Sequence, residues 1–230
     1  MRKIGLVGGL GPASTVEYYM GLNELFLNDP SITGYPEIVI DSVDMLRYTD
    51  ALISKDYDTV AEYLLENLCN LKAAGAQIAA ITANTEHIVW DRICGRLSLP
   101  TISVVDAVTE EIRKNQYKKV LVLATEWTLS SGLFEKPISQ TGAIPVIPSC
   151  ADQKIIGSLI YPNLENGIVL SEDKAKMIAL IKKYIASEHP DSILLGCTEL
   201  PLMIKEDDIE LPLINSTQVH IKKIFQESIS

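Results

Sequence analysis

The run Ser192-Ile193-Leu194-Leu195-Gly196-Cys197-Thr198-Glu199-Leu200-Pro201 passes from strand-forming residues directly into a polar cluster. In the first half of the chain, Gln77-Ile78-Ala79-Ala80-Ile81-Thr82-Ala83-Asn84-Thr85-Glu86-His87 has the same form. A short apolar run without polar alternation is the pattern of a strand buried on both faces, as in a parallel sheet covered by helices. Polar residues just past such a strand fall at the edge where open α/β folds bind ligands. The second run carries Cys197 there; the first carries Ala83 and no cysteine.

Working outward, comparable apolar runs occupy 4–7, 37–41, 101–104, 119–123, 144–147 and 213–214. Helical patterns lie between them at 14–27, 58–74, 172–187 and 218–229. The second spaces Val60, Tyr63, Leu64, Leu68 and Leu71 along one face. Alternation of strand and helix reads as α/β with right-handed crossovers. The two matching strand ends suggest a weak internal duplication. The segment 100–115 is the boundary, giving a first α/β domain at 1–105, completed by a C-terminal helix at 216–230, and a second at 106–215. The stretch 161–167, with Pro162 and two asparagines, reads as a loop.

Of 230 residues, 47% are hydrophobic and 22% charged, which excludes a disordered chain. The net charge of −10 and the lack of a basic stripe argue against a nucleic-acid partner. No run approaches the roughly 20 apolar residues of a membrane span, and the start Met1-Arg2-Lys3-Ile4 leads into a stretch too short and glycine-rich for a signal peptide. A soluble, cytoplasmic protein is expected. The four cysteines share no CxxC spacing and the three histidines are far apart, so reduced thiols and no metal site are expected. Cys69, in a helical pattern, and Cys94, following an aromatic-containing helix, read as packing residues.

Three clusters carry candidate chemistry. Gly8-Gly9-Leu10-Gly11-Pro12 joins a strand to a helix without matching the dinucleotide or Walker spacing; it is either a tight turn or a contact for a small anion. Asn84 and Thr85 either cap the next helix or offer an amide and a hydroxyl to a carboxylate. Cys197 is either an inert buried thiol or a base whose acidity is raised by hydroxyl and amide donors at the strand end. Glu199 then orients its loop or bonds to substrate. Ala83 can neither take nor give a proton, so chemistry on that side falls to Thr82, Thr85, His87 or water.

Gly8-Gly9-Leu10-Gly11-Pro12, Ala83-Asn84-Thr85-Glu86-His87 and Gly196-Cys197-Thr198-Glu199-Leu200 resemble the signatures of the aspartate/glutamate racemase family. Supporting matches are Asp41-Ser42-Val43-Asp44, Val105-Asp106-Ala107, Ala124-Thr125-Glu126-Trp127-Thr128 and 215–220. The resemblance implies two pseudo-symmetric three-layer α/β domains, each around a four-stranded parallel sheet, closing over a small carboxylate or amino-acid substrate and often forming homodimers. It implies proton transfer at an α-carbon with no cofactor and no metal. A cysteine from each half usually flanks that carbon. Here the second matches Cys197 and the first falls on Ala83. Some relatives place threonine at the first position, but Thr82 lies one residue early, on the other side of an alternating strand.

On this resemblance, Gly9, Gly11, Asn84, Thr85, Thr125, Thr128, Thr198 and Glu199 are substrate-binding candidates. Thr82, His87 and His220 are auxiliary ones. Arg47, whose fork fits a carboxylate, is the candidate for a substrate side chain. The implied activity is a racemase of aspartate or a related acidic amino acid. One-cysteine decarboxylases and isomerases of related carboxylates, and a non-catalytic binding protein for an acidic amino acid, are the alternatives.

Overall fold

The computed structural model describes residues Met1–Ser230. Its strands are β1 (Ile4–Gly8), β2 (Ile38–Ser42), β3 (Ile78–Ile81), β4 (Thr101–Ile102), β5 (Lys119–Leu123), β6 (Ile144–Val146), β7 (Ser192–Leu195) and β8 (Leu213–Asn215). The first helices are α1 (Pro12–Asn28), α2 (Met45–Ile53), α3 (Tyr57–Ala73), α4 (Trp90–Ile93) and α5 (Val104–Asn115). The remainder are α6 (Glu126–Ser131), α7 (Glu135–Gln140), α8 (Cys150–Ile160), α9 (Ser171–Glu188), α10 (Leu200–Met203) and α11 (Ser216–Ile229). No helix is long and apolar enough to cross a membrane.

The strands form two four-stranded sheets, in the orders β2-β1-β3-β4 and β6-β5-β7-β8. Every neighbouring pair is parallel. The second sheet repeats the order of the first strand for strand, so β3 and β7 are counterparts. The chain divides into two compact units, Met1–Val104 with His220–Ser230, and Val105–Val219. The final helix therefore starts in the second unit and ends in the first.

The first unit is layered helix–sheet–helix because its strands alternate. Ile4 and Leu6 of β1 and Ile78 and Ala80 of β3 pack with Tyr18, Leu22 and Phe26 of α1 and Ile221 and Ile224 of α11. Val7, Ala79 and Ile81 point the other way, onto Val60, Leu64, Leu68 and Leu71 of α3. Burial of each Val, Leu, Ile or Phe among them stabilises by about 1.5–3 kcal/mol. In the second unit, β5 and β7 are buried almost throughout, and α9 turns Met177, Leu180, Ile181 and Tyr184 inward. The stretch 161–167 contains a short 3₁₀ turn, Leu164–Asn166, inside the expected loop. The expected packing of Cys69 and Cys94 is corrected: both are exposed, because each lies off the apolar stripe of its helical turn.

The glycine loop is a packed turn. Gly9 has φ 82°, and a Cβ there would stand 2.6 Å from the Val43 carbonyl oxygen. Replacing Gly9 by alanine combines a left-handed backbone with a backbone clash. Gly9→Ala is expected to lower stability by at least about 1–2 kcal/mol, read as a fall in the urea midpoint with an unchanged m-value.

Candidate active site

A single hydrogen-bonding pattern ends β3 and β7. Beyond β3, the Thr82 N–H donates to the Val7 carbonyl at 3.0 Å, and beyond β7, the Gly196 N–H donates to the Leu123 carbonyl at 2.7 Å. Val7 pairs with Ile81, and Leu123 with Leu195, in the same register. The next residues, Ala83 and Cys197, therefore occupy equivalent positions. Gly196 fits closely in its place, since a Cβ would stand 3.1 Å from the Leu123 oxygen and from the Phe134 ring.

In the first unit, Thr82 turns onto α1. Its hydroxyl donates to the Val7 carbonyl at 3.0 Å and lies 3.3 Å from Thr15 Oγ1. A hydroxyl so engaged is a structural knot, which corrects its candidacy as an auxiliary proton carrier. The Gly9 N–H is spent inside the loop, donating to Thr15 Oγ1 at 2.9 Å. That amide is thus not the anion donor expected of it; Gly11, half-buried at φ 96°, begins α1. Asn84 is buried and Thr85 half-buried at the start of the turn Thr85–Val89, and no side-chain bond from Asn84 caps that turn. Ala83 packs in the cluster that holds Val60 and Leu64.

The two histidines are also corrected. The Val104 N–H donates to His87 Nε2 at 3.3 Å, so Nδ1 carries the proton and donates to the Ala83 carbonyl at 3.0 Å. His220 Nε2 donates to the Ile102 carbonyl at 2.9 Å, and its Nδ1 accepts from the Tyr18 hydroxyl at 2.8 Å. Both rings are neutral with both nitrogens occupied. Burial lowers His87 to about 4. Burial and the neighbouring His87 lower His220 to about 3. These rings pin the ends of β4 and α11 to the rest of the unit rather than move protons. Arg47 is exposed, stacked 4.2 Å from the centre of the Tyr63 ring and 3.8 Å from Glu66. An exposed pair of that kind is worth about 0–1 kcal/mol, so the guanidinium can be recruited away at little cost.

In the second unit, Cys197 is 6% exposed and Glu199 9%. The thiol donates to Glu199 Oε2 at 3.0 Å. Burial, then the Glu199 charge and hydrogen bond, push the thiol well up from its ordinary value. Backbone N–H groups of Glu199 and Leu200 act in the opposite sense and are outweighed. The expected acidic thiolate is thus corrected to a protonated thiol, because local donors lose to burial and a like charge. Thr198 between them is half-buried. Thr125 caps α6, donating to Thr128 Oγ1 at 3.0 Å and accepting from the Thr128 N–H at 3.3 Å. Trp127 beside it is 41% exposed. Sequence reasoning missed Glu165, in the turn before α9, which burial and the Glu199 charge push up.

The structure thus holds two repeats of one parallel α/β unit, with a buried thiol just past one central strand. The model of the Asp/Glu/Hydantoin racemase family matches residues 7–224, and the chain belongs to that family. It is 26% identical over 217 residues to the broad specificity amino-acid racemase RacX of Bacillus subtilis (strain 168), covering 93% of this chain and 92% of that one. It is 28% identical over 165 residues to a glutamate racemase of Aquifex pyrophilus, covering 71% of this chain and 61% of that one. The crystal structure of an aspartate racemase homologue from Pyrococcus horikoshii OT3 matches with a TM-score of 0.87 and 31% identity over all of both chains.

The buried histidines make stability depend on pH. Both have folded values below the ordinary 6.5. The unfolded chain therefore binds protons that the folded chain refuses. Their stabilisation is present above about pH 6.5 and declines as pH falls toward 4, by up to about 1.4 kcal/mol per pH unit for each ring. Urea unfolding from pH 7 to 4 is expected to show this slope. His220→Gln is expected to flatten it by about half, and an unchanged slope would contradict the assignment of neutral rings.

Proposed function

We propose that the chain is a cofactor-independent racemase of aspartate or a related acidic amino acid, with Cys197 moving a proton at the α-carbon. The observation that carries this reading is the buried Cys197 thiol, set just past a central strand and hydrogen-bonded to Glu199. A thiol excluded from water and supplied with a proton acceptor suits exchange with a weakly acidic C–H bond. Thr198, next to Cys197, holds the α-carboxylate in this reading, and Asn84 and Thr85 are the first unit's own candidates for a carboxylate. Donors aimed at that group stabilise the charge that grows on it as the C–H bond breaks. Arg47, only weakly paired with Glu66, is the first unit's candidate for a side-chain carboxylate. On the face away from Cys197, water supplies or removes the second proton. A cytoplasmic homodimer is the assembly we propose; the exposed Val16, Tyr19, Met20 and Leu27 along α1 offer a surface for a second copy.

Ala83 favours a second reading. With a methyl group at the position equivalent to Cys197, the chain suits one-face chemistry, in which a protonated thiol delivers hydrogen to a planar intermediate left by decarboxylation or isomerisation. The two readings separate in deuterated water. Single enantiomers of aspartate and glutamate are expected to exchange the α-hydrogen with optical inversion if the first holds. Exchange with retention supports one-face chemistry, and no exchange on either substrate overturns racemisation of acidic amino acids. Cys197→Ser is expected to reduce exchange at least about 100-fold. Ala83→Cys is expected to speed inversion about tenfold or more, since it adds an acid–base group at the position equivalent to Cys197.

A further inference from the structure

Glu199 is turned toward the sulfur of Cys197, with Oε2 accepting the thiol hydrogen bond at 3.0 Å and both side chains buried. We propose that Glu199 is the positioning residue of Cys197 and the acceptor of its proton, so that the two work as a thiol–carboxylate pair. The proposal rests on the reading of Cys197 as the proton-transfer residue. In the activating step the Sγ–H bond breaks, the proton forms an O–H bond on Oε2, and the electron pair stays on sulfur. The thiolate then takes the α-hydrogen as a proton: the Cα–H bond breaks, Sγ–H forms again, and the bonding pair passes to the α-carbon and its carboxylate. Reversing both steps returns a proton to carbon. Nothing is oxidised or reduced, and no further reactant is needed.

A purely structural role for the Glu199 side chain is poorly matched by the local geometry. The loop is already held by its main chain, through Leu200 N–H to the Cys197 carbonyl at 3.2 Å and Leu202 N–H to the Glu199 carbonyl at 2.9 Å. The carboxylate is left to face the thiol. The groups acting on the sulfur are this carboxylate and the N–H groups of Glu199 and Leu200. The Glu199 charge also bears on Glu165, in the turn Leu164–Asn166, and helps to push that carboxyl up. An isolated buried carboxylate is costly, whereas one that accepts a hydrogen bond from its reaction partner is satisfied until that partner ionises.

The test alkylates the full-length protein with iodoacetamide across pH 6–10 and follows the Cys197 peptide by mass spectrometry, with exposed Cys150 as internal reference. In Glu199→Gln the half-point for Cys197 is expected to fall by about one pH unit or more, because a like charge beside the thiol is gone. In the same variant, α-hydrogen exchange on aspartate is expected to drop at least about tenfold, although the thiol is more acidic. A side chain that only anchors the loop would leave the exchange no slower in the folded variant. Glu199→Asp, which keeps the charge, is expected to retain a raised half-point and part of the exchange. An unmoved half-point in folded Glu199→Gln, or exchange at the parent level, overturns the proposal. Should the Gln variant not fold, Glu199→Asp decides, and a Cys197 half-point at or below that of Cys150 overturns it. If the parent exchanges no hydrogen on aspartate or glutamate, the substrate reading fails while the alkylation half-point still decides the pair.

Discussion

Both units turn on one hydrogen bond placed just beyond the third strand of the chain order in each sheet. The amide of Thr82 in one unit, and of Gly196 in the other, extends the parallel ladder by one residue. That bond aims the residues immediately after it. Side chains alternate along a strand, so fixing Thr82 against α1 sends Ala83 to the opposite face. The same alternation places Cys197 relative to Gly196. The difference between the halves is therefore one of chemistry within a shared frame: a methyl group stands where its counterpart is a thiol.

Burial gives that thiol its character. In water a cysteine beside two backbone N–H donors would lose its proton more readily. Here desolvation and the Glu199 carboxylate outweigh the donors, and the resting state is the thiol. The same balance leaves His87 and His220 neutral, although their ring nitrogens are fully used. Three side chains that look like proton carriers in the sequence thus divide into two kinds. The histidines are committed to backbone and tyrosine partners, whereas Cys197 is bonded to a group able to receive what it gives up.

Much of the frame was legible in the sequence. The apolar runs at 4–7, 119–123 and 192–195 became β1, β5 and β7 because buried parallel strands carry no polar alternation that would blur them. The stripe of Val60, Leu64, Leu68 and Leu71 marked α3 for the same kind of reason. The helices α6 and α7 were less visible, since six residues each are too few to display a helical period. The roles of the histidines were out of reach, because His220 bonds to Tyr18 and Ile102, far away along the chain. The acidity of Cys197 was misread for a related reason. Its nearest neighbours in sequence favour the thiolate, but the deciding contributions are burial and the rotamer of Glu199. Glu165 escaped notice because only the fold brings the Glu199 charge to bear on it.

The central claim is that the sulfur of Cys197 meets the α-carbon of an acidic amino acid. Its most direct test is to treat the protein with 2-bromosuccinate, whose α-carbon is open to displacement by a thiol, and to map the modified cysteine by mass spectrometry. The account predicts a single adduct on Cys197, suppressed by aspartate, even though Cys69, Cys94 and Cys150 are the exposed thiols. Labelling confined to those three, or labelling of Cys197 that aspartate leaves untouched, would contradict it.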